Sequence, residues 1–155
     1  MHYLKFKDYI VNEMRFKRIK EYPVTGPVLI DPRIDLAIMQ ANVAYKLTIS
    51  VHIDEKQANN STSPFELNLN VTANFDVIEM ANAITLRDEA TYFIYPYVRA
   101  IISSMTASAN VVPYMMPVLD LSQNVRGANA PNQNPVDKKR DPLDGTNIRP
   151  IDEII

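Results

Sequence analysis

Two segments of the chain alternate apolar and polar residues so regularly that they predict β-strands. In residues 45–53, tyrosine, leucine, isoleucine and valine occupy every second position, and polar side chains or lysine lie between them. Residues 65–75 repeat the pattern, with asparagine and threonine in between. A period of two is typical of a strand with one buried and one solvent-facing side. The turn-forming residues 54–64 therefore predict an antiparallel hairpin.

Two further strands are expected before this hairpin. One is predicted around residues 14–22, where Met14, Phe16 and Ile19 would face inward. The other is predicted around residues 36–45, either adjoining the next strand or continuous with it. Prolines and a glycine between them predict an irregular connection. Such a sheet has one apolar face, which another element must cover.

The one convincing helical pattern follows the strands. Its apolar stripe, at helical spacing, consists of Ala90, Phe93, Ile94, Tyr97, Ile101 and Met105, widened by Val98 and Ile102. Pro96 leaves the start open, because a start near Ile94 places it in the first turn and a start near Asp88 makes it kink the helix. Asn110 predicts the end near residues 109–110. The predicted fold is α+β, an antiparallel four-stranded sheet covered on one face by a long helix.

Composition narrows the class of protein. The chain has 155 residues, of which 46% are hydrophobic and 22% charged, and a formal net charge of -2. These values are typical of one globular domain without strong attraction to nucleic acid or anionic lipid. The absence of cysteine excludes disulfides and thiolate chemistry. The charged N-terminus predicts no signal peptide, so the cytoplasm is the simplest expected location.

Between Arg99 and Asp120 no residue carries a charge. We do not expect this run to enter a membrane, because serine, threonine, asparagine and two prolines interrupt its apolar residues. Its later part, residues 112–118, is predicted to be extended and carries one tyrosine and two methionines. Such side chains suit contact with many polypeptide sequences better than they suit catalysis.

No constellation in the sequence indicates an enzyme. The two histidines, His2 and His52, lie far apart, and the chain has three glycines and no phosphate-binding loop or nucleophile motif. Acidic residues between positions 31 and 55 lack the spacing of a calcium-binding loop. We therefore predict a protein without catalytic activity, metal or cofactor.

The motif Tyr95-Pro-Tyr-Val-Arg99, the helix behind it and residues 112–118 resemble the SecB family of export chaperones. In that family a phenylalanine-proline-tyrosine-alanine-arginine-like signature opens the long helix, and a proline-led apolar segment follows. Residues 65–77 also resemble the family's third strand. In the order of its elements, the resemblance extends from residue 14 to residue 119.

This resemblance implies a SecB-like domain over residues 1–122, assembled as a homo-oligomer that is a dimer of dimers. It implies a chaperone that holds unfolded client polypeptides without ATP, for export or for a dedicated client such as an antitoxin. The candidate residues of the client-binding groove are Ile34, Leu36, Ile38, Met39, Tyr114, Met115 and Met116. The candidate residues of the subunit interface or of helix packing are Phe16, Tyr97, Arg99, Ile101 and Met105.

Two departures from the family bear on its partners. Asn68 stands where the family's acidic surface for the SecA motor would have a glutamate, so SecA is a partner that the sequence permits but does not favour. Residues 123–155 are rich in proline, asparagine and charge, and predict a disordered or extended tail instead of a second long helix. Two alternatives stay open: a non-catalytic adaptor with one fixed partner, and a carrier of a small apolar ligand.

Overall fold

The structure is a computed structural model and describes residues 2–19, 29–57, 61–121 and 125–127. Its elements are β1 (Leu4–Arg18), β2 (Arg33–Ala41), β3 (Ala44–Ile53), β4 (Phe65–Val77), α1 (Ala83–Ser108) and β5 (Val125–Gly127). The strands form one sheet in the order β1-β4-β3-β2-β5. The first four strands pair antiparallel, and β5 pairs parallel to β2. The predicted α+β fold, with four antiparallel strands and one long helix, is confirmed.

The hairpin of β3 and β4 lies at the centre of the sheet. The apolar positions of both alternating runs are at most 1% exposed. Leu47 pairs with Ala73 and Ile49 pairs with Val71, so both runs face the same side. The sequence pattern predicted these two strands correctly because each has one buried face and no irregularity.

β2 and β3 form a hairpin, so the expected strand at residues 36–45 adjoins its neighbour and is not continuous with it. The chain reverses at Asn42 and Val43. Asn42 has a φ of 51°, a left-handed conformation that asparagine adopts more readily than most residues. β2 also begins earlier than expected, at Arg33.

β1 begins at Leu4, well before the expected start near Met14. Register shifts at Lys7 and Asn12 insert an extra residue in two places. These bulges keep one set of apolar residues on the same side, namely Leu4, Phe6, Tyr9, Val11, Met14 and Phe16. A search for a period of two misses the first part of this strand, because the bulges at Lys7 and Asn12 break the period there.

The helix α1 covers the apolar face and begins earlier than either expected start. Asn82 caps it, since its side-chain Oδ1 accepts a 2.8 Å hydrogen bond from the backbone N–H of Thr85. Pro96 therefore lies inside the helix. The helix ends at Ser108, and Asn110, with a φ of 56°, follows it as the sequence predicted.

The buried stripe of α1 is shifted relative to the expected one. It consists of Leu86, Ala90, Thr91, Ile94, Tyr95, Val98, Ile102 and Thr106. Phe93, Tyr97, Ile101 and Met105 lie at the border of this stripe and are partly exposed or exposed. The helix carries more apolar residues than one sheet can bury, so its pattern alone does not show which of them face the core.

Residues 111–121, which we call the covering segment, complete the core. The helix packs mainly on β1, β3 and β4, yet Ile34 and Leu36 of β2 are buried as well. The residues that the covering segment contributes to the same buried cluster are Met116, Leu119 and Leu121. The covering segment therefore contributes to the same core as the helix and the sheet.

Two expectations fall partly or wholly outside the described residues. They are the end of the first predicted strand, at residues 20–22, and the disordered or extended tail, at residues 123–155, of which β5 alone is described. The division into a domain over residues 1–122 and a tail stays a proposal.

Candidate functional site

Side-chain hydrogen bonds of Tyr95 and Thr106 tie the covering segment to the helix, in addition to the backbone bond from Val111 N–H to the carbonyl oxygen of Thr106 at 3.1 Å. The hydroxyl of Tyr95 donates to the carbonyl oxygen of Pro117 at 2.7 Å. Thr106 Oγ1 accepts from the backbone N–H of Tyr114 at 2.8 Å and donates to the carbonyl oxygen of Ile102 at 3.0 Å. Because Thr106 is buried, these bonds lie in a poorly hydrated place where losing them is costly. The covering segment is therefore held in a defined position.

The phenols of Tyr95, in the helix, and of Tyr114, in the covering segment, stay neutral over the physiological pH range. Desolvation by burial raises the pKa of Tyr114 to about 12, and Tyr95 and Asp31 act in the same direction. Burial also raises the pKa of Tyr95, although the positive charge of Arg99 opposes this change. Both tyrosines therefore serve as hydrogen-bond donors or apolar surface, and neither is prepared for acid–base chemistry.

The outer side of the covering segment is apolar. Val112, Met115 and Val118 are 84%, 61% and 80% exposed. Met116 and Leu119 beside them are buried, so the extended chain sends some side chains into the core and others into solvent. We call the exposed set Val112, Met115 and Val118 the segment surface.

The residues predicted to line the client-binding groove differ in how buried they are. Those that lie in the core are Ile34, Leu36 and Met116. Those that are half-buried against the core are Ile38 and Tyr114. Met115 is exposed and belongs to the segment surface. Their role in binding a client stays a prediction, and on the covering segment Met115 is accessible to a client without rearrangement.

Met39 is separated from the other predicted groove residues. Ile38 pairs with Leu47 and faces the core, whereas Met39 pairs with Lys46 on the solvent-facing side of the sheet. Met39 is 66% exposed there. Since neighbouring positions of a strand point to opposite faces, Met39 and Ile38 cannot line one groove.

A second apolar surface lies where β1 meets α1. It is an open groove of about 640 Å³ lined by Met14 and Phe16 of the strand and by Ile101, Ser104 and Met105 of the helix. At its border the rings of Tyr9 and Tyr97 lie with their centroids 5.6 Å apart. We call this region the β1–α1 groove.

The β1–α1 groove brings together most of the predicted interface residues. Phe16, Ile101 and Met105 line it, and Tyr97 lies at its border. Arg99 does not line it. The Nε of Arg99 is buried and has no hydrogen-bond partner among the described residues.

The solvent-facing side of the sheet carries a network of amides and hydroxyls. Asn70 donates to the hydroxyl of Ser50 at 2.7 Å, and Asn12, at the second bulge, donates to the side chains of Asn70 and Thr72. His52 Nδ1 and Asn68 Oδ1 lie 2.7 Å apart. No group of three or more histidine, cysteine or acidic side chains in the described ranges could hold a metal ion.

Some of these features carried a signal in the sequence and others did not. Tyr95 belongs to the motif of the family resemblance, which marked it without showing that its hydroxyl would reach Pro117. Val112 and Val118 stood in the uncharged run, but nothing in their spacing distinguished outward from inward positions. Thr106 gave no signal, because a threonine within a helix usually bonds only to its own backbone.

Comparison with known proteins assigns the chain to a family. It is 30% identical over 125 residues to the "Uncharacterized protein MJ0357" of Methanocaldococcus jannaschii, which covers 77% of this chain and 80% of that protein. The chain belongs to the MJ0357 family. No protein-family model matches the chain. The name of MJ0357 states no activity, so membership of the MJ0357 family leaves the function open.

This member of the MJ0357 family also resembles a solved chaperone. The Mycobacterium tuberculosis Rv1957 SecB-like chaperone, in complex with a ChAD peptide from the Rv1956 HigA1 antitoxin, has a TM-score of 0.61 and 16% sequence identity. The match covers 76% of this chain and 91% of that chain. At this identity the likeness shows the fold alone, so the expected SecB-like fold is confirmed. No helix in the described ranges is long and apolar enough to cross a membrane.

Proposed function

We propose that this protein is an ATP-independent chaperone that binds unfolded polypeptides on apolar surfaces and keeps them soluble. The observation that carries the proposal is the segment surface, three large apolar side chains exposed on a covering segment that hydrogen bonds hold in place. The SecB-like fold supports it, since Rv1957 was solved with a peptide from an antitoxin.

The physical basis is the burial of apolar area on both partners. Each Å² of apolar surface removed from water contributes about 25 cal/mol. Methionine is flexible and polarizable, so Met115 can adapt to different client side chains. Because Tyr95 and Thr106 already fix the backbone beneath it, little conformational entropy is lost when a client binds. Such a surface favours breadth of binding over selectivity.

The β1–α1 groove suits a contact between subunits. Tyr9 and Met14 on this side of an edge strand are 38% and 53% exposed, which is unusual for a strand that ends a sheet in water. A second copy of the chain would cover both the groove and its own equivalent residues by twofold symmetry. Our proposal includes this contact and assembly of such pairs into a dimer of dimers.

The solvent-facing side of the sheet argues against docking of the export motor SecA. The amide of Asn68 lies against His52, and Glu66 is paired with Lys17 at 3.5 Å. These positions offer no uncompensated acidic patch for docking. We therefore propose a cytoplasmic chaperone that acts without SecA and whose unfolded clients include one such as an antitoxin, with no role for nucleic acid or membrane insertion.

Aggregation assays with three unrelated unfolded proteins test the proposal. Without nucleotide and at molar ratios near one, a chaperone of this kind should suppress light scattering by all three. An adaptor would protect one partner at most, and a carrier of a small apolar ligand would protect none and would copurify with its ligand. Absence of suppression for all three proteins at every ratio would refute the proposed function.

A further inference from the structure

The outer edge of β2 carries a strand from the same chain. β5 pairs in parallel with the first part of β2, with Val125 opposite Ile34, Arg126 opposite Asp35 and Gly127 opposite Leu36. β2 continues to Ala41, and its outer edge beyond Leu36 has no strand partner among the described residues. The edge is therefore occupied over part of its length.

The pairing of β5 with β2 is weak enough for another strand to displace β5. The contact spans three residue pairs, and short, parallel pairing is weak. Gly127 weakens it further, because glycine loses more backbone entropy than any other residue. β5 is nevertheless kept close, since only residues 122–124 separate it from Leu121 in the core. Because β5 pairs weakly but stays nearby, it would compete with any other strand for the outer edge of β2.

The same edge fits any extended polypeptide backbone. Strand addition depends on main-chain hydrogen bonds, which every sequence except proline can form, and alternate side chains then fall on the two faces of the sheet. On the core side, the edge presents Ile34, Leu36 and the half-buried Ile38. Every second side chain of an added strand would then lie beside Ile34, Leu36 and Ile38.

The opposite edge of the sheet is less suitable. β1 contains two bulges, and its outer positions carry the charged residues Lys7, Glu13, Arg15 and Lys17. Bulges and charges are features that protect edge strands against pairing with other chains. β2 has neither bulge nor register shift in its pairing with β3.

We propose that the outer edge of β2 is the docking edge for extended client segments, and that β5 occupies part of it until a client displaces it. The inference rests on the proposed function, because it assumes that the protein binds unfolded polypeptides. It adds that clients bind by pairing with β2, and that β5 of the same chain limits their access to this edge. Client affinity should then depend on whether β5 is attached or released.

A reversible lock on β5 tests this directly in the full chain. The chain has no cysteine, so Asp35→Cys with Arg126→Cys introduces one pair at positions that face each other in the register. Paired residues in neighbouring strands lie within the range that a disulfide can join. The probe is reduced, carboxymethylated α-lactalbumin, which stays unfolded, and its affinity is measured for the oxidised and reduced forms of the same variant. Each single-cysteine variant controls for the substitutions.

The expected result is binding about tenfold weaker in the oxidised form, with recovery on reduction, since a tethered competitor acts at a high effective concentration. Val125→Pro and Arg126→Pro should act in the opposite direction and strengthen binding, because proline disrupts strand pairing. Equal affinity of the oxidised and reduced forms would overturn the inference and leave the proposed function intact. Failure of the cysteines to join would also overturn it. Absence of binding in the unmodified protein would remove the proposed function itself.

Discussion

The hydroxyl of Tyr95 donates a 2.7 Å hydrogen bond to the backbone carbonyl oxygen of Pro117. Tyr95 lies in the middle of the buried stripe of α1, and Pro117 lies in the covering segment between buried Met116 and exposed Val118. The bond thus connects the sequence motif that resembles the SecB signature to the surface that we propose for clients. The motif contributes to function by positioning the covering segment.

Replacement of this phenol should have a measurable cost in stability. Tyr95→Phe removes this hydrogen bond, so the free energy of unfolding should fall by about 1 kcal/mol in urea denaturation. Tyr45→Phe is a matched control, because the hydroxyl of Tyr45 is buried without a hydrogen-bond partner among the described residues. That control should be neutral or stabilising. Equal losses in the two variants would contradict our interpretation of the Tyr95 bond.

A threonine inside the helix should matter more than its position suggests. Thr106→Val removes the acceptor for Tyr114 N–H, so we expect a loss of about 1–3 kcal/mol in unfolding free energy. Thr91→Val is the comparison, because Thr91 is also buried but donates only to the carbonyl oxygen of Arg87 in its own helix. A Thr106→Ser variant should retain most of the stability. If Thr91→Val proves as costly as Thr106→Val, the attachment of the covering segment is not what Thr106 provides.

Two adjacent methionines should separate binding from folding. Met115 is 61% exposed and Met116 is 1% exposed. Met115→Ser should weaken suppression of aggregation and leave the melting temperature nearly unchanged. Met116→Ser should lower the unfolding free energy by about 2–5 kcal/mol, as loss of a buried large side chain does. Melting temperature and suppression of aggregation should be measured for both variants. Similar effects of the two substitutions would contradict the proposed role of the segment surface in client binding.

The proposed subunit contact predicts a difference between two faces of one strand. Met14 and Ile10 in β1 are 53% and 55% exposed, but Met14 pairs with Leu69 on the groove side and Ile10 with Thr72 on the solvent side. Met14→Glu should reduce the solution mass in sedimentation, because a charge would be buried in the contact. Ile10→Glu should leave the mass unchanged. An unmodified protein that sediments as a monomer would exclude the contact.

The buried phenols predict a loss of stability in alkali. Burial raises the pKa of Tyr45 and of Tyr114 from 10.0 to about 12, so the folded state keeps both protons over a range in which the unfolded state loses them. Their contribution is fully present below pH 10 and disappears as pH rises to about 12. Urea denaturation between pH 9 and 11.5 should show this fall, and Tyr45→Phe should make it shallower. An identical slope in that variant would mean that Tyr45 is not the source.

The sequence predicted best those elements in which apolar residues recur at one constant spacing. β3 and β4 alternate strictly because each faces the core on one side and water on the other, and the end of α1 is marked by Asn110. β1 was found only in its second half, since the bulges at Lys7 and Asn12 change the phase of its apolar residues. Pairing with β4 continues along the whole of β1, although the local sequence of β1 does not show one continuous strand pattern.

The candidate site was less predictable for a physical reason. An extended segment without periodicity does not reveal which of Met115 and Met116 faces the core, because that choice depends on the hydrogen bonds of Tyr95 and Thr106. Met39 and Ile38 were both named as groove candidates after the family resemblance, whereas the strand sends them to opposite faces. Of the residues predicted for the subunit interface or helix packing, Phe16, Ile101 and Met105 line one surface, and their role in a subunit contact stays a prediction.

Hydrogen–deuterium exchange of the full chain, with and without carboxymethylated α-lactalbumin, tests the central claim most directly. It reports both whether an unfolded polypeptide is held and which backbone amides it covers. We predict slower exchange in the covering segment, residues 111–121, when the unfolded protein is present and no nucleotide is added. Exchange that is unchanged throughout the chain at a saturating concentration of the unfolded protein would contradict the account.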